Sequence, residues 1–286
     1  MKYLNLPKYF LLKDKFINEN ISFLRKLVIT RDKEIAINFS QLQDSTRGAL
    51  MVFMAQIEKT VSSFGKQIYS HGKLPSSQRM KKILLSSGNI LHQNTLISPI
   101  ILSDAEKRAS LVNPKLIDSI VVDLKKIGVK DYYYPFNTFL TEIIANAVEH
   151  GIEKRKINWW LTQDIDKGKK HITYSFVDMG DGIIDTHKKA KLPLKYWFLS
   201  DSRIVLDALY GKLGSSTKKT NRGRGLPQLR NLIELDIVSN LVIITNKVSL
   251  SYQDNYFKSA KNPNFVGTYY SWTINKDNCE KWKNTQ

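Results

Sequence analysis

A short segment in the second half of the chain places an acidic and an amide side chain one helical turn apart. In Thr141-Glu-Ile-Ile-Ala-Asn-Ala-Val-Glu-His-Gly151, Glu142 and Asn146 share one face of a helix, while the apolar residues can pack on its other faces. An amide oxygen is a hard ligand that suits Mg²⁺, and a nearby carboxylate can take a proton from a nucleophile. The segment alone therefore indicates either a magnesium–phosphate site or a polar stripe on a solvated helix.

A second segment, Asp178-Met-Gly-Asp-Gly-Ile183, directly follows a predicted strand. Gly180 and Gly182 permit a tight backbone corner at the end of that strand. The Asp178 carboxylate can then accept a hydrogen bond from an exocyclic amine, while the glycines let a flat ring approach the main chain. The alternative for this segment is an ordinary glycine-rich turn.

A third segment, Asn221-Arg-Gly-Arg-Gly-Leu226, opens a predicted helix. Backbone N–H groups at a helix N-terminus bind phosphate when glycines such as Gly223 and Gly225 let the ligand come close. Lys218 and Arg224 add positive charge nearby. The chain has neither a Walker P-loop nor the spacing of a dinucleotide-binding fingerprint.

The elements that must position these segments are predicted from apolar periodicity and from turn residues. Residues 1–110 are predicted to form a small α/β unit, with strands at 34–39 and 66–70 and helices that begin near 44 and 75. Residues 93–113 are interpreted as a connector. Residues 111–286 form a second unit, with helices near 114–128, 136–148, 202–210 and 225–235, and strands near 157–163, 171–178, 241–245, 247–252 and 266–274.

The composition excludes several other kinds of site. The chain has 286 residues, 42% of them hydrophobic, which is the composition of a folded protein with one large domain or two ordinary ones. A single cysteine, Cys279, excludes an internal disulfide framework and a cysteine-based zinc cluster, and the five histidines lack metal-ligand spacing. With neither a membrane-spanning run nor a signal peptide recognised, we expect a cytoplasmic protein that makes no membrane contact.

The net charge is strongly positive and spread along the chain. There are 44 Lys and Arg against 26 Asp and Glu, a formal net charge of +18. Such a balance favours polyanionic partners, because the summed field attracts phosphate. No helix-turn-helix, zinc finger or aromatic RNP-like strand accompanies it, so the charge leaves a nucleic-acid partner open without a recognition motif.

The three segments, in their order and on their alternation of helix and strand, resemble the GHKL ATP-binding superfamily. E-I-I-A-N-A-V-E-H-G is most similar to the anti-sigma-factor serine kinases of bacteria, and the likeness covers about residues 113–280, with Gly267-Thr268 downstream. The resemblance implies a Bergerat-type α/β sandwich, in which helices cover one face of a mixed sheet. It also implies ATP and Mg²⁺ as cofactors.

Carried over by position, the resemblance implies a role for each matching residue. Glu142 would be the general base and Asn146 would hold Mg²⁺ against the phosphates. Asp178 would accept from the adenine amino group, and Thr268 would support the adenine through water. The remaining matches would shape the adenine pocket or form the phosphate side of a lid over 183–222: Gly180, Gly182, Ile183, Lys218, Gly223, Arg224, Gly225 and Leu226.

The first unit resembles STAS domains, the anti-anti-sigma modules. The likeness lies in the strand–loop–helix segment from Phe39 to Leu50 and continues through Gly65-Lys-Gln-Ile-Tyr and residues 80–88. In that family a serine after the Asp, just before a glycine, is phosphorylated. Here Arg47 stands before Gly48, so helix capping is the favoured role of Ser45 and Thr46, with phosphorylation as the alternative.

Together these observations predict a two-domain signalling protein that binds ATP with Mg²⁺. Glu142 would activate either water, for ATP hydrolysis, or the hydroxyl of a protein Ser or Thr, and the nucleotide state would control contact with a protein partner. Two alternatives remain: a module that senses ATP without hydrolysing it, and an ATP-gated effector that associates with nucleic acid. The sequence also leaves open whether the chain forms a homodimer.

Overall fold

The protein is a mixed α/β (α+β) chain that divides into two compact units, Met1–Lys107 and Arg108–Gln286. In this computed structural model the described residues are 1–86, 114–151, 159–189, 192–213 and 225–283. The predicted connector at 93–113 and three predicted site residues, Lys218, Gly223 and Arg224, lie outside them. No helix in the described ranges is long and apolar enough to cross a membrane.

The first unit alternates strands and helices. Its elements are β1 (Lys2–Asn5), β2 (Tyr9–Phe10), α1 (Ile17–Ile29), β3 (Glu34–Asn38), β4 (Asp44–Ser45), α2 (Arg47–Phe64), β5 (Gln67–His71) and α3 (Gln78–Ser86). Strands β1, β3 and β5 form a parallel sheet in that order, and β2 pairs in parallel with β4. The strands and helices predicted near 34, 44, 66 and 75 are confirmed as β3, α2, β5 and α3.

The start of α2 decides the role of the two hydroxyl residues in the STAS-like segment. Thr46 is the N-cap, since its Oγ1 accepts a hydrogen bond from the Ala49 N–H at 3.1 Å. Ser45 is fully buried and its hydroxyl donates to the Phe10 carbonyl at 2.7 Å. Thr46 therefore caps the helix as predicted, and the buried Ser45 is not presented to a kinase.

The second unit combines helices with one sheet. Its elements are α4 (Pro114–Val122), a 3-10 segment (Asp123–Ile127), α5 (Tyr134–Gly151), β6 (Trp159–Asp166), β7 (His171–Asp178), α6 (Gly182–Lys189), a 3-10 segment (Leu194–Phe198), α7 (Asp201–Leu209), α8 (Gly225–Glu234), β8 (Ser239–Gln253), β9 (Tyr256–Asn275) and α9 (Lys276–Lys283). The two strands predicted at 241–245 and 247–252 are one strand, β8, whose register shifts at Asn246.

The described strands of this unit form an antiparallel sheet in the order β6-β7-β9-β8, so the expected mixed sheet is wrong for them. Short connections account for two of the three strand pairings. Strands β8 and β9 are joined by Asp254 and Asn255, both at positive φ, as in a two-residue hairpin turn. A short turn likewise joins β6 to β7, and such turns can connect only antiparallel neighbours.

Aromatic packing fixes α5 against the centre of this sheet. Trp272 of β9 stacks on Tyr174 of β7 with ring centroids 5.7 Å apart, and Phe139 of α5 lies 4.9 Å from Trp272. Phe136 contacts the same two rings. Because the apolar residues of α5 recur at helical spacing, this contact also sets which way its polar face points.

The expectation of a lid over 183–222 is wrong for much of that interval. Ile183 and Ile184 of α6 are buried, as are Ile204, Val205 and Leu209 of α7. A segment whose apolar side chains belong to the core cannot open without exposing them to water. Residues 214–224 lie outside the described residues.

Candidate functional site

A cavity opens where α5, α6 and α8 meet the end of β7 and the middle of β9. Its empty space is about 480 Å³ when the open solvent at its mouth is included. Its lining mixes apolar side chains with a few polar ones: Ile143, Asn146, Asp178, Asp181, Gly182, Ile183, Thr186, His187, Leu226, Thr268 and Tyr270.

The polar face of α5 meets the first residue of α8. A Cβ added to Gly225 would lie 2.8 Å from Asn146 Oδ1 and 2.9 Å from Glu142 Oε2, closer than such atoms can approach. Glycine therefore lets the N-terminus of α8 sit directly against these two side chains. A helix N-terminus favours an anion, and the amide and carboxylate lie beside this one.

Burial changes the chemistry of both α5 side chains. Desolvation raises the pKa of the Glu142 carboxyl above its ordinary value, because a low-dielectric environment disfavours the charged form. The Asn146 Nδ2 atom is buried without a hydrogen-bond partner among the residues that the structure describes. A buried amide without a partner is costly, so this part of the cavity is suited to a further polar group.

Asp178 and Thr268 face each other across the sheet at the floor of the cavity. They are direct partners in the β7–β9 register, and Oδ1 of Asp178 accepts a hydrogen bond from the Gly180 N–H at 2.9 Å. This bond fixes the carboxylate at the strand end. A carboxylate has about four acceptor positions, so it retains the capacity to accept from a ligand.

Gly267 allows the two strands to approach at this point. Its φ is +88°, and an added Cβ would lie 1.9 Å from the Asp178 carbonyl oxygen and 2.9 Å from Met179 Cα. No side chain fits there without displacing backbone. The glycine thus holds Thr268 beside Asp178.

The start of α6 is fixed by two residues at the irregular point of β8. Thr245 Oγ1 accepts from the Ile183 N–H at 2.9 Å, and Asn246 Oδ1 accepts from the Ile184 N–H at 3.0 Å. An added Cβ on Gly182, whose φ is +81°, would lie 2.5 Å from Asn246 Oδ1. Gly182 therefore allows this cap to form.

The structure brings most of the described site residues predicted from the sequence to this one place. Six of them line the cavity: Asn146, Asp178, Gly182, Ile183, Leu226 and Thr268. Glu142 and Gly225 lie next to Asn146, whereas Gly180 stands behind the lining and supports Asp178.

Sequence reasoning missed Thr245 and Asn246, and also the lining residues Ile143, Asp181, Thr186, His187 and Tyr270. One signal was available for the first two: in Val-Ile-Ile-Thr-Asn-Lys, a pair of polar residues interrupts an apolar strand. Asn246 has a φ of 48°, a conformation that Asn tolerates better than most residues. Their contact with α6 spans more than sixty residues and is not visible in the local pattern.

The donor set fits a magnesium–phosphate group better than a metal held by protein alone. In the described ranges no group of three or more His, Cys, Asp or Glu residues is placed to hold a metal ion. Mg²⁺ is commonly held by one or two protein oxygens together with phosphates and water. The Asn146 amide beside the N-terminus of α8 matches that arrangement.

Comparison with known proteins adds no assignment, since no protein-family model matches this sequence and no curated protein matches it significantly.

Replacing Gly267 by Ala should lower the free energy of unfolding of the second unit by about 3 kcal/mol, because the new Cβ collides with the Asp178 carbonyl. Tryptophan fluorescence in a denaturant titration measures this, since all five tryptophans lie between residues 159 and 282. Gly168→Ala is the matched control, because its Cβ would have only an ordinary 3.4 Å contact. Equal stability of the two variants would contradict the close approach.

Replacing Glu142 by Gln should raise the free energy of unfolding of the second unit, relative to that of the wild type, more at pH 7 than at pH 4. The folded-state pKa of Glu142 is raised, so its favourable contribution is present below the unfolded-state pKa and is lost as pH rises through the folded-state pKa. The neutral amide avoids that loss. Denaturant midpoints of both proteins, followed by tryptophan fluorescence across this range, test the sign. A constant difference between them would show that Glu142 does not titrate differently on folding.

Proposed function

We propose that the second unit binds ATP with Mg²⁺ in this cavity and uses it to control a protein partner, by hydrolysis or by phosphorylation of a protein Ser or Thr. The observation that carries the proposal is the convergence of Asn146, Asp178, Gly182, Ile183, Leu226 and Thr268 on one cavity. These residues come from segments far apart in the chain, and the sequence pattern of each segment predicts nucleotide chemistry.

The adenine would lie at the Asp178 end of the cavity. Asp178 and Thr268 provide polar groups at the floor, and Ile143, Ile183 and Leu226 provide apolar surface around them. A flat purine needs this combination of apolar walls and a few fixed polar groups. The bond from the Gly180 N–H would keep the Asp178 carboxylate oriented toward the amino group.

The phosphates would lie at the Asn146 end. The N-terminus of α8 presents N–H groups there, and Asn146 Oδ1 lies beside Gly225 and is suited to hold the metal. When bound, Mg-ATP supplies an electrophilic phosphoryl group. Glu142 stands next to Asn146, and its raised pKa makes it a stronger base for removing the proton of water or of a protein hydroxyl.

The proposed domain type of the second unit rests on the same residues. We assign the second unit to the GHKL type, with a Bergerat-like site, because the E-x-x-x-N, D-x-G-x-G and G-x-G-L segments occur in order and their described residues meet in space. For the first unit, the parallel strands and the capped helix after β4 support a STAS-like module. Such a pairing of modules suits a signalling role.

Replacing Asp178 by Asn should weaken ATP binding by roughly 10- to 100-fold, because a charged acceptor is lost and an amide donor can face the adenine amino group. Isothermal titration calorimetry with ATP measures the effect. Asp164→Asn, on the exposed part of β6, is a control of the same chemistry outside the cavity. Unchanged affinity in the Asp178 variant would refute the adenine assignment.

Replacing Glu142 by Gln should reduce phosphate release or phosphotransfer at least 100-fold while ATP still binds, as expected for loss of a general base. The measurement is turnover with Mg-ATP, alone and with candidate protein substrates, beside calorimetry on the same preparations. Tight ATP binding with equal turnover in variant and wild type would instead support a sensor that does not hydrolyse ATP.

A further inference from the structure

The parallel sheet of the first unit has one face on which Tyr3 and His71 are exposed and Tyr69 is partly exposed. The register places Tyr3, Ala36 and Tyr69 in one row across β1, β3 and β5, and Asn5, Asn38 and His71 in the next row. We call these six residues the open face. The opposite face carries Ile35, Ile37 and Ile68, which are all fully buried. Parallel sheets are normally covered on both faces, so the exposed row is unusual.

Aromatic rings dominate the open face. Tyr3 is 61% exposed, and its ring lies edge-on to that of His71 with centroids 5.1 Å apart. The Tyr69 hydroxyl donates to Gln67 Oε1 at 2.6 Å. Ala36, between the two tyrosines, is only 3% exposed, so the rings rather than the backbone meet an approaching molecule. Rings held in this way lose little conformational freedom on binding.

Amide groups lie next to the rings and are held in place. Asn38 Nδ2 donates to Asn5 Oδ1 at 3.1 Å, and Asn38 Oδ1 accepts from the Ser40 N–H at 3.0 Å. Gly72, with φ at +78°, passes close to the same side chain, since an added Cβ would lie 2.8 Å from Asn38 Oδ1. Amide and imidazole groups can donate to and accept from the edges of nucleobases.

The charge around this face is positive. Residues 1–86 contain 15 Lys and Arg against 6 Asp and Glu, a net charge of +9. Exposed cations stand beyond both ends of the three strands: Arg31 and Lys33 before β3, Lys8 after β1 and Lys73 after β5. Two acidic residues also lie on this side: Glu34 is exposed on the open face, and Asp32, between Arg31 and Lys33, pairs with the N-terminal amino group at 3.4 Å.

We propose that the open face binds single-stranded nucleic acid. Bases stack on Tyr3, Tyr69 and His71, and the flanking lysines and arginines hold the phosphates, which is how sheet surfaces bind single strands without strict sequence preference. A second copy of this chain is a poor occupant, since it would bring two strongly basic units together. The proposal does not depend on ATP, because the open face belongs to the first unit.

The test is fluorescence anisotropy of labelled 20-nucleotide oligouridylate and oligodeoxythymidylate with the full-length protein and no ATP. Both probes should bind, and affinity should fall as NaCl rises from about 50 to 200 mM. Tyr3→Ala and Tyr69→Ala should each weaken binding roughly 5- to 100-fold, whereas the corresponding Phe variants should bind like wild type. A difference between the two probes would show whether RNA or DNA is preferred.

The variant Tyr3→Lys separates stacking from charge, because it removes a ring and adds a cation. Weaker binding than wild type supports the proposal, and equal or tighter binding overturns it. Tyr256→Ala removes a tyrosine of similar exposure from the β8–β9 hairpin and should change nothing. Circular dichroism spectra and thermal melts that match those of the wild type confirm that the variants fold. Absence of binding by the wild type, or a dimer that dissociates in Tyr3→Ala, would also overturn the proposal.

Discussion

The packing of α5 on the aromatic residues of β7 and β9 is the contact on which the candidate site depends. Phe136 and Phe139 lie against Tyr174 and Trp272, and this burial fixes the rotation of the helix about its axis. Asn146 then faces the cavity, with Glu142 one turn away on the same side. Without this contact the two polar residues would be a stripe on an amphipathic helix, as the sequence pattern also allowed.

Glycines determine how closely the other elements approach that helix. Gly267 lets β9 meet the end of β7, Gly225 lets α8 meet α5, and Gly182 lets α6 meet β8. At each position a Cβ would lie closer than 3 Å to another atom. At Gly267 the added Cβ would meet backbone, whereas at Gly182 and Gly225 it would displace side chains. The glycines thus have a geometric role besides any contact with a ligand.

The two units differ in where the aromatic residues of their sheets lie, and each of the two proposals concerns a different unit. Aromatic side chains of the antiparallel sheet in the second unit, including Tyr174 and Trp272, are buried in its core, and the cavity lies at the end of β7, beside Thr268 of β9. The parallel sheet of the first unit has the exposed Tyr3 and the partly exposed Tyr69 on one face. Residues 1–86 carry a net charge of +9, which the nucleotide site does not explain, and four exposed cations among them stand beyond the ends of these strands.

The sequence alone was enough to predict the candidate site residues of the second unit and most of the elements that hold them. Helical spacing linked Glu142 to Asn146, and the end of β7 fell at Asp178 as predicted, because both are local properties of the chain. The folded structure was needed to show that these segments share one cavity, that Thr245 and Asn246 cap α6, and that Tyr3 and Tyr69 lie on the same face of their sheet. Those facts depend on strand order and register between distant segments, which local periodicity does not encode.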